Sequence, residues 1–289
     1  PDIRLADTQS ESKLDLWADI ESRRIMRAHG KLDIEALRRI GGSAKDSGQE
    51  IRTLFESMQG EWRWQRTAAG WSSSIPQVVF RMGAAQRAIR DIRVTQADGR
   101  WRAQAASIDI QPLSALASLD TGKMGGSRVW IDKSAMQGRL TGLRAYGDAG
   151  NSKWHIAGAS EQLGFNPVGN TPGLDGLGGP FIADQQGGVI RVDSAKSTLN
   201  WPVSFGRPID SRFDGAISWW RSGPDWESGT NGLRWQGDGL DLQVDAQMRV
   251  PADAGAPDLN LAATLKPFDF ETAKRFWLKH LMSKTTVDW

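Results

Sequence analysis

Three histidines, His29, His155 and His280, are the side chains most able to hold a metal or move a proton near neutral pH. They lie far apart in the chain and show no H-E-x-x-H spacing, so strand or surface positions explain them. Asp238, Asp241 and Asp245 are close in sequence and could suggest calcium. Asp241 and Asp245, however, fall at period two within an alternating run, on the wet side of a strand, without the loop spacing of calcium ligands. The glycines from Gly169 to Gly179 lack both the Lys-Ser/Thr of a P-loop and the G-x-G-x-x-G register after a strand. No G-x-S-x-G elbow is present, and cysteine is absent. Paired carboxylates could cleave a glycosidic bond, but no spacing singles out a pair among the 34 acidic residues. No catalytic, cofactor-binding or metal-binding residue is therefore assigned, and the chain is not expected to be an enzyme.

Pattern, instead of chemistry, is what the sequence offers. Leu240, Leu242, Val244, Ala246, Met248 and Val250 alternate with Asp241, Gln243, Asp245, Gln247 and Arg249. Successive side chains on a strand point to opposite faces, so this run has one dry face and one wet face. After a turn rich in Pro, Ala and Gly, Leu259, Leu261, Ala263 and Leu265 resume the alternation. The result is a long hairpin whose first strand reaches roughly 36 Å at ~3.3 Å per residue. Burying that strip is worth on the order of 10 kcal/mol, at ~1.5–3 kcal/mol per larger side chain. A second sheet, a helix or a bound apolar ligand must cover it, because a large apolar patch does not simply face water.

The 289 residues can form one large all-β domain or two ordinary ones. With 36 basic and 34 acidic residues the net charge is +2, and the chain lacks the basic footprint of a nucleic-acid binder. Without cysteine there is no disulfide framework, which permits an oxidising compartment without requiring one. No run approaches the ~20 apolar residues of a membrane span. Because the chain starts at Pro1 and stops at Trp289 inside what reads as an unfinished element, a fragment or a processed piece is expected. The 14 Trp residues on strands suggest packing, or alternatively a carbohydrate platform.

Strands are expected over 14–21, 25–32, 54–64, 71–81, 88–95 and 101–110, the 54–64 stretch with an ambiguous helical start. Further strands are expected over 127–132, 139–146, 153–158, 189–199, 210–221, 225–228 and 233–236, before the hairpin. Asp98-Gly99 signals a tight turn. Short helices are expected near 34–40, after Asp33, and near 112–119, with a final helix near 270–281 after Asp269. The Gly-rich stretch 164–179 reads as a loop. Two segments, 1–122 and 123–289, follow from this reading, or one continuous sheet. An Asp between two apolar residues where strand becomes helix (Leu32-Asp33-Ile34, Ile108-Asp109-Ile110, Phe268-Asp269-Phe270) suggests a repeat of ~80 residues.

The run Pro172-Gly173-Leu174-Asp175-Gly176-Leu177-Gly178-Gly179, then Leu199-Asn200-Trp201-Pro202 and Gly215-Ala216-Ile217-Ser218-Trp219, resembles the YhdP family of AsmA-like envelope proteins, relatives of TamB. Arg249-Val250-Pro251, Pro257-Asp258-Leu259-Asn260-Leu261 and the Phe276-Trp277-Leu278 tail continue the likeness. The family's Tyr-Leu-Pro is Trp277-Leu278-Lys279 here. The resemblance implies a mainly β fold: a long, highly twisted antiparallel sheet curled into an open apolar groove, with a few short helices at strand ends. It further implies an inner-membrane-anchored protein of a Gram-negative periplasm, its anchor outside this chain. Phospholipid acyl chains would pass along the groove floor toward the outer membrane, with no cofactor. The ten apolar residues of the hairpin, Leu240 to Val250 and Leu259 to Leu265, would line that floor. The other readings are a β-sandwich binding polysaccharide through Trp219, Trp220, Trp226 or Trp235, and a hydrolase on a β scaffold.

Overall fold

The computed structural model describes residues 8–41, 50–119, 132–150, 153–252 and 258–267, with 269, 271 and 276. Fourteen strands stand in one antiparallel sheet in chain order. Among the described residues the first strand (Thr8–Glu21) and the last (Asp258–Leu265) each have one neighbour, and the sheet does not close into a barrel. The mainly β, antiparallel fold with few short helices is the one expected. No second sheet exists among the described residues to make a sandwich. The chain divides into two compact units, 1–135 with 139–156, and 136–138 with 157–289. The division expected at 122–123 falls in 120–131, outside the described residues.

The first unit contains β1 (Thr8–Glu21), β2 (Arg24–Gly41), β3 (Glu50–Arg66), β4 (Gly70–Met82), β5 (Ala85–Ala97), β6 (Arg100–Asp109), α1 (Ile110–Ala117) and β7 (Gln137–Asp148) up to its boundary exchange. One end of this sheet is made of tight hairpins. Asp98-Gly99 takes positive φ at both positions (50° and 72°), the geometry whose twist matches the flanking strands. The other end carries α1, whose Ala115 and Leu116, with Leu119 beyond it, pack on Leu37, Leu54, Phe55, Phe80 and Ile89. Phe55 and Phe80 meet edge to face at 5.6 Å. Asp109 precedes α1 without capping it. Its carboxylate instead accepts the Ala88 N–H at 2.7 Å and the Arg139 Nε–H at 2.9 Å, tying β5, β6 and β7 together. Arg39 donates bidentately to Asp132 and also to the Ser118 carbonyl, fastening β2 to the end of α1.

The helix expected near 34–40 is strand. Ala36 adopts φ +50° and forms a bulge in β2 opposite Gln9–Glu11. An extra residue slips the period-two parity, so Ile34 and Leu37 share the packed face although they are three apart. That spacing imitates one turn of helix. The ambiguous 54–64 stretch resolves as strand for a related reason: a register shift opposite Leu37–Arg38 puts Leu54 and Phe55 both into the core. The helix expected near 112–119 is α1, begun two residues earlier. Of the Asp-centred repeat, only Ile108-Asp109-Ile110 marks a strand-to-helix junction among the described residues, since Leu32-Asp33-Ile34 lies inside β2.

The second unit contains β8 (Trp154–Phe165) from Ala157 on, β9 (Gly173–Asp184), β10 (Gly187–Asn200), a short helix α2 (Pro202–Phe205), β11 (Pro208–Ser222), β12 (Asp225–Gly237), β13 (Leu240–Val250) and β14 (Asp258–Leu265). The Gly-rich stretch 164–179 is therefore mostly strand, not loop. Its glycines serve close backbone approach: a Cβ on Gly179 would stand 1.7 Å from the Arg191 carbonyl oxygen. Where the β9–β10 register breaks, side chains replace ladder bonds. Ser194 Oγ accepts from the Gly178 N–H, and Ser197 Oγ donates to the Gly176 carbonyl. The strands expected over 225–228 and 233–236 are one strand, β12, carrying a bulge between Thr230 and Leu233 with Gly232 at φ +73°. Residues 43–48 and 127–131 lie outside the described residues, as does the helix expected near 270–281 but for Glu271 and Phe276.

Candidate apolar trough

The hairpin β13–β14 has the register its alternation demands. Leu242 stands opposite Leu265, Val244 opposite Ala263, Ala246 opposite Leu261 and Met248 opposite Leu259. The apolar residues named from the sequence thus fall at positions of one face, Leu240 to Val250 on β13 and Leu261, Ala263 and Leu265 on β14. The neighbouring strands extend it. On β12, Leu233 and Trp235 oppose Val244 and Leu242, and Trp226 opposes Val250. On β11, Phe213, Ile217 and Trp219 share the face, and on β10 Ile190 and Val192 do. Sequence reading missed the β12 members because the Gly232 bulge interrupts the alternation; the Gly itself was the available signal.

One end of this face is sealed by the protein. α2 begins with Pro202 at its first position and ends at Gly206, which takes the left-handed conformation such a terminus favours. Trp201 and Phe205 meet edge to face at 5.7 Å, and Phe276 touches both Phe205 (6.0 Å) and Trp235 (6.2 Å). Trp235 stacks on Phe213 and donates its indole N–H to Ser211 Oγ at 2.9 Å. Under this cluster Ile209 is fully buried, Leu240 and Leu199 are buried, and Leu242 is 7% exposed.

Toward the other end the same face opens. Val244 and Ala246 are half-buried, Met248 and Val250 are 37% and 39% exposed, and Leu261 is 64% exposed. Leu265 is 46% exposed although it faces Leu242, because among the described residues β14 has a neighbouring strand on one side only. Ala263 is exposed too. Of the expected set, Leu240 and Leu242 are buried, Val244 and Ala246 half-buried, and Met248, Val250, Leu261, Ala263 and Leu265 exposed.

The wet face is held by ionic clasps. Asp241 accepts Arg234 Nε (3.0 Å) and Nη2 (2.7 Å), Lys266 Nζ (2.6 Å) and Gln236 Nε2 (3.1 Å), so one carboxylate joins β12, β13 and the end of β14. Arg234 foremost, then Lys266, holds its carboxyl well below the usual carboxylate range. Asp225 accepts the Ala252 N–H and both Nε and Nη2 of Arg249; the backbone bond foremost, then Arg249, keeps it low as well. Asp238 pairs with Arg207, and Asp245 accepts the Gly232 N–H at 2.6 Å. Each carboxylate of the run 238–245 is thus engaged by the protein's own donors, and among the described residues no three metal-ligating side chains cluster. His29 stacks on Trp17 and His155 on Tyr146; His280 lies outside the described residues. Trp219, Trp226 and Trp235 fall on the apolar face and Trp220 on the opposite one, so the four Trp residues of the polysaccharide reading do not share one face.

An antiparallel sheet whose apolar face is covered at one end of the second unit and open at the other is a β-sheet scaffold. The chain belongs to the YhdP family, whose model, described as YhdP protein, matches residues 3–289. That is a family of bacterial envelope proteins, and membership together with the large sheet fits a protein of lipid-transport type. No curated protein and no solved structure matches the chain. Among the described residues no helix is long and apolar enough to cross a membrane.

Proposed function

We propose that this chain is a segment of a non-enzymatic bridge that conducts phospholipids between the inner and outer membranes of a Gram-negative envelope. It works in the periplasm as part of a protein anchored in the inner membrane by sequence outside this chain. The observation that carries this reading is the graded exposure of one apolar strip, from Leu242 at 7% to Leu261 at 64%. A strip meant only for a core would be covered along its length, because leaving large apolar side chains in water forgoes ~25 cal/mol per Å². Acyl chains fit such a strip without any specific motif, since burial is non-directional. A lipid would lie with its tails on Val244, Ala246, Met248, Val250, Leu259, Leu261, Ala263 and Leu265, its headgroup toward solvent. Leu240 and Leu242 would fix the floor beneath the helix end.

The test is site-specific photocrosslinking in cells from positions 244 and 261, with wet-face position 243 as reference, reading bound phospholipid by mass spectrometry. Crosslinks from 244 and 261 well above those from 243 are expected. Equal signals at all three would overturn the conduit. Leu261→Glu is expected to block lipid movement with the protein still made, and normal transport by that variant would remove Leu261 from the path.

A further inference from the structure

The wet face of the first unit segregates its charge along the strands, and the transport reading makes no use of it. Toward the α1 end, basic and acidic residues alternate: Lys13 opposes Asp33, Asp15 opposes Lys31, and Lys31 pairs with Glu61. Toward the hairpin end the acids give way to arginine. Strand register builds one row across the sheet, His29–Arg63–Ser74–Arg93–Gln104–Arg144. A second row beside it is Arg27–Gln65–Ser72–Thr95–Arg102–Tyr146. Among the described residues none of these five arginines has a carboxylate within ion-pairing distance. Asp19, opposite Arg27, stands at the far margin.

Three features say what such a surface fits. In the first row Arg63, Arg93 and Arg144 recur on every second strand, about 10 Å apart at ~4.8 Å per strand. That is close to a Debye length of ~8 Å at physiological salt, so their fields overlap into one positive track. The track is concave: a groove of about 630 Å³ is lined by Arg27, His29, Arg63 and Arg93, and a second of about 640 Å³ by Arg102, Arg144 and Tyr146. Thr95 pairs with Arg102 and Arg93 with Gln104, which joins the two grooves side by side. Both ends carry an aromatic ring presented on a histidine, Trp17 on His29 (4.8 Å) and Tyr146 on His155 (4.9 Å), and both rings are largely exposed. Between the arginines lie neutral hydrogen-bonding side chains, Ser74, Gln104, Ser72 and Thr95.

A track of spaced guanidiniums, neutral hydroxyl and amide partners, and flat aromatic surfaces at its ends matches a chain of sugar rings bearing acidic groups. Guanidinium forks recognise carboxylate or phosphate bidentately, hydroxyls and amides pair with sugar hydroxyls, and ring faces take the apolar face of a pyranose. A planar lipid surface would not reach into both grooves, one on β2–β5 and one on β6–β7, as an extended chain can. We propose that the wet face of β1–β7 binds an acidic polysaccharide, laid across the strands from Trp17 to Tyr146.

The experiment uses the chain as it stands, titrated with an oligogalacturonate of about ten units by calorimetry at low and physiological salt. Binding that weakens about tenfold when salt rises from 50 to 300 mM is expected. Arg63→Glu/Arg93→Glu should lose at least tenfold affinity, and Trp17→Ala severalfold, with unchanged circular dichroism, since all three side chains are exposed. Arg191→Glu, an exposed arginine of the second unit, should bind as the parent does. A neutral dextran oligomer should not bind. Polyphosphate binding equally well and independently of Trp17 would overturn the sugar assignment. Preferential binding to anionic vesicles over the oligosaccharide would replace it with a membrane surface. Unchanged affinity in the double charge reversal would overturn the site.

Discussion

Leu242 and Leu261 offer a comparison in which the residue type, the hairpin and the face are all held constant. Leu242 is 7% exposed beneath the α2–Phe276 cluster, packed between Trp235 and Leu265; Leu261 is 64% exposed beside Ala246. Truncating a buried leucine to alanine removes transfer free energy and leaves a cavity, together about 2–5 kcal/mol. Leu242→Ala belongs in that range, because its aromatic surroundings are pinned by the Trp235–Ser211 hydrogen bond and cannot collapse freely. Leu261 has withdrawn only about a third of its surface from water, so Leu261→Ala should cost less than about 1 kcal/mol. Urea unfolding of both variants, followed by tryptophan fluorescence with the m-value checked for constancy, measures the difference. A comparable destabilisation in the two variants would mean that the open end is packed by the protein itself. The surface would then be core and no passage for lipid.

Four further outcomes follow from particular contacts. Crosslinking from 244 and 261 above the level at 243, described above, tests the trough directly. The Asp241 and Asp225 carboxyls are held below their unfolded value of about 3.9, so their stabilising contribution is fully present above it and is lost as pH falls from there through the folded values; thermal melts from pH 6 down to about pH 2 should show Asp241→Asn with a shallower acid loss than the parent. Ala36→Gly should stabilise by about 0.5–1 kcal/mol, because glycine takes φ +50° without the Cβ penalty, whereas Ala36→Val should destabilise; chemical denaturation reads both. Gly179→Ala should destabilise by more than about 2 kcal/mol, since its methyl would occupy the space of the Arg191 carbonyl; an unaltered melting temperature would refute so close an approach of β9 and β10.

Much of the fold could be read from local pattern. Leu240–Val250, with its partner strand, was legible because both runs keep period two without interruption, and the Asp98-Gly99 turn because its dihedrals need those residues. The arginine rows were not legible. Arg27, Arg63, Arg93, Arg102 and Arg144 are scattered over more than a hundred residues, and only strand register lines them up. Wherever a bulge slipped the parity, as at Ala36 in β2 and Gly232 in β12, the reading failed too, since period two is the only local signal a strand emits.

The sequence by itself determined that long strands would form and which side of each would be apolar, because alternation is a property of neighbouring residues. Only the tertiary structure decided which part of that apolar side is covered. α2, Trp235 and Phe276 come from three separate stretches of chain, and their meeting over Leu240 and Leu242 is a matter of packing at a distance. Leu242 and Leu261 are the same residue in the same pattern; what separates core from open surface is which neighbours the fold brings to each.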